Sequence, residues 1–132
     1  MSLENIQLTI TLSDSKLEDD RLQEDTRNIL SEVKKFDGVQ KADLMSIETA
    51  EPGAMGIGGF LVGILTAEIN IENTKGLVKY LGNRLYGKTI KMKITAKGNG
   101  QEIEVEIEGC NAKELEKEYE KVKPIIEKIV NG

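Results

Sequence analysis

Few residue types in this sequence are suited to catalysis. Histidine is absent, so the commonest general base near neutral pH and the commonest zinc ligand are both missing. The single cysteine, Cys110, precedes a predicted helix whose dipole favours a thiolate, but four glutamates near it in sequence oppose thiolate formation. We therefore interpret Cys110 as a structural or incidental residue and not as a nucleophile.

Carboxylates and glycines could form two other kinds of site. The stretch KLEDDRLQED lacks the Asp-x-Asp-x-Asp-Gly spacing of a calcium loop and is typical of a solvated helix face. Gly56 and Gly58 begin a dinucleotide-binding pattern, but position 61 is leucine, and no lysine follows that would complete a phosphate-binding loop. We therefore predict that the protein is not an enzyme and uses no catalytic residue, metal or cofactor.

Length and charge narrow the class of protein further. The 132 residues have an ordinary globular composition and are expected to form a single domain over residues 1–132. A net charge of −5 argues against nucleic acid or anionic lipid as the partner. The start MSLENIQLTI lacks the basic and apolar segments of a signal peptide, so we expect a cytoplasmic protein.

The spacing of apolar residues predicts the order β-α-β-α-α-β-β-α. IQLTITL alternates as a strand with one buried face, and Leu77, Val78, Leu81 and Leu85 form the stripe of a helix that Asn73 or Thr74 would cap. A last helix follows Asn111, and Pro124 should kink or divide it. We predict an α+β fold with a four-stranded sheet covered by helices.

The stretch KTIKMKITAKGNGQEIEVEIEG predicts a β-hairpin just before the last helix. Asn99-Gly100 suits a two-residue turn, which would place opposite each other residues whose numbers sum to 199, such as Lys93 and Glu106. A turn at Gly98-Asn99 gives a sum of 197 and matches charges and faces equally well. Both registers keep the lysines out of the core, so the alternation leaves the two open.

An uncharged segment from Pro52 to Ala67 stands out in this acidic chain. As a helix, 53–69 would carry Gly56, Gly59 and Gly63 along one smooth side, where another backbone could approach closely. We interpret it as a buried or interface helix. The alternative is a membrane-active module that uses the same glycine-rich helix, although sixteen apolar residues without basic flanks are short for a span.

Charge is segregated along the second half of the chain. Residues 73–101 contain seven basic residues and no acidic one, whereas residues 102–120 contain eight glutamates and two lysines. A surface with two signs of charge suits a charged protein partner or head-to-tail self-association. The predicted interface therefore joins the glycine strip to the basic side of the second helix: Gly56, Gly59, Phe60, Gly63, Ile64, Lys75, Lys79 and Arg84.

Nearly the whole chain resembles the effector-associated constant component proteins, small accessory proteins of bacterial conflict and defence gene clusters. The resemblance is carried by IQLTITL, EPGAMGIGGFLVGILTAEI, GLVKYLGNRL and KTIKMKITAKGNGQEIEVEIEGCNAKELEK. It implies a non-enzymatic accessory subunit encoded beside an effector or a regulator, with no catalytic residues to assign. We expect a protein–protein interaction or assembly module whose partner is such a protein, with self-association as a second possibility.

Overall fold

The computed structural model describes residues 5–47, 56–98 and 100–131, and confirms the α+β class. The predicted loop TAEPG and residue Asn99 of the predicted turn lie outside these residues. The described elements, in chain order, are β1 Asn5–Ser13, α1 Asp19–Lys34, β2 Val39–Ser46, β3 Gly56–Ile57, β4 Phe60–Asn70, α2 Ile71–Arg84, β5 Thr89–Gly98, β6 Gln101–Gly109 and α3 Ala112–Asn131.

The sheet contains one long strand more than the sequence predicted. Within the described residues, five long strands pair antiparallel in the order β2-β4-β1-β5-β6, and the two-residue β3 pairs with the start of β4. The additional strand is β4, which forms from the segment interpreted as a helix. The four-stranded sheet and the predicted element order are therefore wrong in this part of the chain.

Strand β4 alternates between the core and the opposite side of the sheet. Its buried residues on the core side are Leu61, Gly63, Leu65, Ala67 and Ile69, and Asn70 at its end is buried as well. The sequence concealed this period of two because Phe60, Val62 and Ile64 on the other side are apolar as well. Since β4 lies between β2 and β1, both of its backbone edges are paired, and an apolar strand is stable there.

All three described helices pack on one face of the sheet, and no helix of the described chain covers the opposite face, here called the outer face. Alternate residues of the strands and the apolar stripes of the helices form one core. Its fully buried larger side chains include Ile6, Leu8, Ile10, Ile29, Leu65, Ile69, Leu77, Leu81, Leu85, Ile90, Met92 and Tyr119. Helix α2 lies between the other two, since its side chains reach Glu32 of α1 and Glu120 of α3.

The start of α2 and the interior of α3 differ from the sequence prediction. Helix α2 begins at Ile71 because Asn70, the last residue of β4, is its N-cap and accepts a hydrogen bond from the Asn73 backbone N–H at 2.9 Å. The sequence predicted that Pro124 would kink or divide the last helix, and α3 continues through Pro124 without dividing. Pro124 is exposed, so the carbonyl that loses its intrahelical partner can be hydrated.

The β5–β6 hairpin adopts the register in which paired residue numbers sum to 199. Ala96 lies opposite Ile103 and Lys93 opposite Glu106, which is the register of the Asn99-Gly100 turn and selects it from the two registers that the sequence left open. Lys97 contacts Glu102, the residue directly opposite, at 3.9 Å, whereas Lys93 Nζ lies 3.2 Å from an oxygen of Glu104, a diagonal neighbour. Diagonal neighbours in a twisted antiparallel pair are within reach of long side chains.

Candidate protein-interaction surface

The glycines predicted to form one smooth strip lie in different environments. Gly56 belongs to β3, Gly59 lies exposed in the turn before β4, and Gly63 is buried within β4. Phe60 and Ile64 are half-buried. The helical strip is therefore wrong, because these residues do not share one side of a helix.

Gly63 is nevertheless a point of close approach. Its φ angle is +76°, and a Cβ placed there would lie 2.7 Å from the carbonyl oxygen of Leu12. Its backbone N–H donates a hydrogen bond of 2.9 Å to Oε1 of the buried Gln23. The pairing of β2 with β4 shifts register between Leu44 opposite Leu65 and Ser46 opposite Phe60, so Gly63 lies in the irregular part of this pairing.

The basic residues predicted on α2 are largely paired within the molecule. Lys75 contacts Glu120 of α3 at 2.6 Å, and Arg84 contacts Glu32 of α1 at 3.1 Å. The hydrogen bond between Lys75 and Glu120 raises the pKa of Lys75 and lowers the pKa of Glu120. Within the described residues, only Lys79 of the three predicted basic residues lacks an ion pair.

The exposed side of β6 carries a line of carboxylates that the sequence analysis did not include in the interface. Glu102 and Glu104 contact Lys97 and Lys93 of β5, at 3.9 and 3.2 Å. In the described chain, no ion pair is present at Glu106 or Glu108. We call this line the acidic row; its members are Glu102, Glu104, Glu106 and Glu108.

Strand β6 is also an edge of the sheet. It follows β5 at the end of the strand order, and no strand of the described chain pairs with its other side. The edge is nine residues long and contains no proline, and its pairing with β5 is regular throughout. Such an edge offers a line of backbone donors and acceptors to another strand.

Helix α3 runs back along the hairpin beneath β6. A side chain at Gly98 would overlap the backbone of Ile129, and a side chain at Gly109 would contact Glu114 and Leu115. The two ends of α3 therefore lie over the two ends of the hairpin, and the helix is antiparallel to β6.

The flank of α3 that faces the edge of the sheet carries apolar residues together with the ion pair of Glu118 and Lys121. Helix α2 occupies the opposite flank, where Gly82 approaches Ala112 and Lys75 pairs with Glu120. The flank away from α2 leaves Ile125 49% exposed. Together with half-buried residues of β6 it forms a surface that we call the apolar shelf: Ile103, Val105, Val122, Ile125 and Ile129.

The residues that could support other chemistry are dispersed. Cys110 is exposed, and its sulfur lies 3.7 Å from the hydroxyl oxygen of Thr89. Across residues 5–47, 56–98 and 100–131, no three Cys, Asp or Glu side chains are grouped closely enough to hold a metal ion. No helix in the same ranges is both long and apolar enough to span a bilayer.

Comparison with family models, curated proteins and solved structures finds no match to this chain. The resemblance to the effector-associated constant component proteins therefore stays a prediction. The acidic row could have been noticed in the sequence, because QEIEVEIEG alternates glutamates with apolar residues. The position of the acidic row at an edge of the sheet could not be predicted from the sequence, because strand order depends on pairings between segments distant in the chain.

Proposed function

We propose that this chain is a non-enzymatic protein–protein interaction module, an adaptor or accessory subunit that acts beside an effector in a bacterial conflict or defence system. The observation that supports it best is the combination at the β6 end of the sheet: a strand edge that no described strand pairs, between an acidic row and an apolar shelf. Binding surfaces typically combine unpaired backbone groups, charged side chains and apolar side chains that one partner can cover together.

The proposed partner is a protein whose gene lies near the gene for this chain. A nucleic acid suits the same surface poorly, because the carboxylates of Glu106 and Glu108 would repel phosphate groups. A second copy of the chain is a poorer partner at β6 than a basic protein, since two acidic rows would face each other.

The membrane-active alternative depended on a glycine-rich apolar helix over residues 53–69. Residues 60–70 instead form a strand between β2 and β1, with Leu65 and Ile69 fully buried. Exposing this segment to lipid would require unpairing the middle of the sheet. We therefore expect no dye leakage from liposomes on addition of the folded protein.

Co-expression with the products of the neighbouring genes tests the proposed function. We expect one of them to co-elute with this chain in a fixed ratio and to give a single complex in sedimentation velocity. A matched pair of charge reversals then compares the two candidate surfaces. Glu106→Lys in the acidic row should weaken the complex, and Lys79→Glu on α2 should leave it intact.

Two outcomes would count against the proposal. If none of the neighbouring products binds and the chain sediments as a monomer alone, the accessory role is wrong. If Lys79→Glu disrupts the complex and Glu106→Lys does not, the module binds through the α2 face that the sequence indicated.

A further inference from the structure

We propose that β6 binds an extended segment of a partner protein as an added strand, and that the segment carries lysine or arginine at alternate positions with apolar residues between them. The inference rests on the proposed function and deepens it by naming the class of partner. It depends on the edge, the acidic row and the apolar shelf, which lie along the same nine residues.

The backbone of β6 is arranged to accept such a strand. In a hairpin closed by a two-residue turn, Gly98 and Gln101 form a hydrogen-bonded pair, and every second residue of β6 then turns its N–H and C=O towards β5. We expect the intervening residues to point these groups outward. They are the same residues that form the acidic row, so backbone pairing and charge recognition would occur at common positions.

The two sides of β6 select for an alternating sequence. Successive side chains of an added strand would point to opposite faces of the sheet. One set would meet the acidic row, where Glu106 and Glu108 lack ion pairs in the described chain. The other set would lie beside the apolar shelf, where Ile125 is 49% exposed. Basic residues fit the first set and aliphatic residues the second.

Charge decides between this partner and a second copy of the chain. Two β6 strands paired antiparallel would bring glutamates opposite glutamates on the outer face, which is unfavourable. The chain itself shows the complementary pattern: β5, with Lys91, Lys93 and Lys97 on the outer face, pairs with β6 on its inner edge. A segment of similar pattern fits the free edge.

A synthetic peptide provides a direct probe. We choose KTIKMKITAK with blocked ends, which copies residues 88–97, and two controls: the same peptide with its four lysines changed to glutamate, and a shuffled peptide without alternation. Titrated into the isotope-labelled full chain, the alternating peptide should shift amide resonances along β6 and along Val122 to Ile129 of α3. The amides of Glu104 and Glu106 should gain protection from hydrogen exchange.

Paired variants make the test specific. Glu106→Lys should weaken peptide binding roughly tenfold, since one cross-strand attraction becomes a repulsion. Glu24→Lys, an exposed reversal on α1, changes the net charge equally and should have little effect. Ile125→Ser should also weaken binding, whereas Tyr86→Ser, at a side chain 79% exposed elsewhere, should not.

The inference fails if the alternating peptide does not bind at millimolar concentration, if the shuffled peptide binds equally well, or if the shifted resonances lie away from β6. These outcomes are separable from failure of the proposed function. A neighbouring gene product that forms a complex insensitive to Glu106→Lys and Ile125→Ser would retain the adaptor role and overturn strand addition.

Discussion

At the scale of single residues, Gly63 shows how one position determines a local structure. Its positive φ angle, the Leu12 carbonyl that leaves no room for a Cβ and its hydrogen bond to Gln23 coincide where the pairing of β4 with β2 is irregular. If this segment were a helix, alanine at position 63 would stabilise it, because alanine is favoured over glycine inside helices. The change in stability caused by Gly63→Ala therefore distinguishes the observed strand from the predicted helix.

We predict that Gly63→Ala lowers the free energy of unfolding by about 3 kcal/mol, because the methyl group both strains the backbone and presses on the Leu12 carbonyl. Gly59→Ala is the matched control. Gly59 also has a positive φ, +85°, but beyond its chain neighbours no atom of the described residues lies within 4 Å of its added Cβ, so only about 1–2 kcal/mol should be lost. Urea denaturation of both variants measures the difference. Equal losses would show that the Leu12 contact is unimportant.

At the scale of elements, the β5–β6 hairpin is specified by charge as well as by apolar alternation. Its register places Lys93 opposite Glu106, and the ion pair joins Lys93 to Glu104. Rescue of a reversed Lys93 by a lysine at position 104 is thus expected in the observed register. Exposed pairs of this kind select a pairing more than they stabilise the fold.

We expect Lys93→Glu to cost about 0.5–1 kcal/mol, because three carboxylates then lie together on the outer face. Glu104→Lys in the same chain should recover at least as much stability as Glu106→Lys does. The control is Lys93→Glu with Glu24→Lys, which restores net charge on a distant helix and should recover nothing. A double-mutant cycle from thermal unfolding gives the coupling energies. Equal rescue by Glu24→Lys would indicate a net-charge effect instead of a local pair.

At the scale of the whole molecule, one layer of helices covers one face of the sheet, and Tyr119 lies fully buried between the layers. Burial raises the pKa of Tyr119 to about 12, although the neighbouring Thr74 side chain opposes part of that shift. Among the described residues, the phenol oxygen has no hydrogen-bond partner of normal geometry. The folded state therefore strongly favours the neutral phenol.

The pKa of Tyr119 in the folded state lies above the unfolded value near 10. The stabilisation from burying the neutral phenol is therefore complete below pH 10 and is lost as the pH rises towards 12. We predict that Tyr119→Phe unfolds with about the same free energy at pH 7 and loses less stability than the wild type between pH 10 and 12. The difference should approach roughly 2–3 kcal/mol. Denaturant unfolding at several alkaline pH values measures it.

Tyr86→Phe is the control, because Tyr86 is 79% exposed and should leave the pH dependence unchanged. A loss of more than about 1 kcal/mol in Tyr119→Phe at pH 7 would contradict the unpaired hydroxyl and point to a hydrogen bond with Thr74.

Local pattern determined a large part of this fold. The alternation of IQLTITL, the stripe of Leu77, Val78, Leu81 and Leu85 and the Asn99-Gly100 hairpin all report which side chains avoid water, and the structure confirms them. These features depend on neighbours within one or two turns or strands. The sequence alone therefore specified the class of fold and the hairpin.

Tertiary structure decided the identity of the apolar segment and the position of the binding surface. Residues 60–65 of β4 are apolar on both faces, so their spacing fitted a helix as well as a strand until pairing with β1 and β2 satisfied the backbone. Lys75 and Arg84 of α2 form ion pairs with Glu120 and Glu32, which are distant in sequence. Strand order alone places β6 at the edge, because hydrogen bonding between strands depends on the whole sheet and not on the composition of one strand.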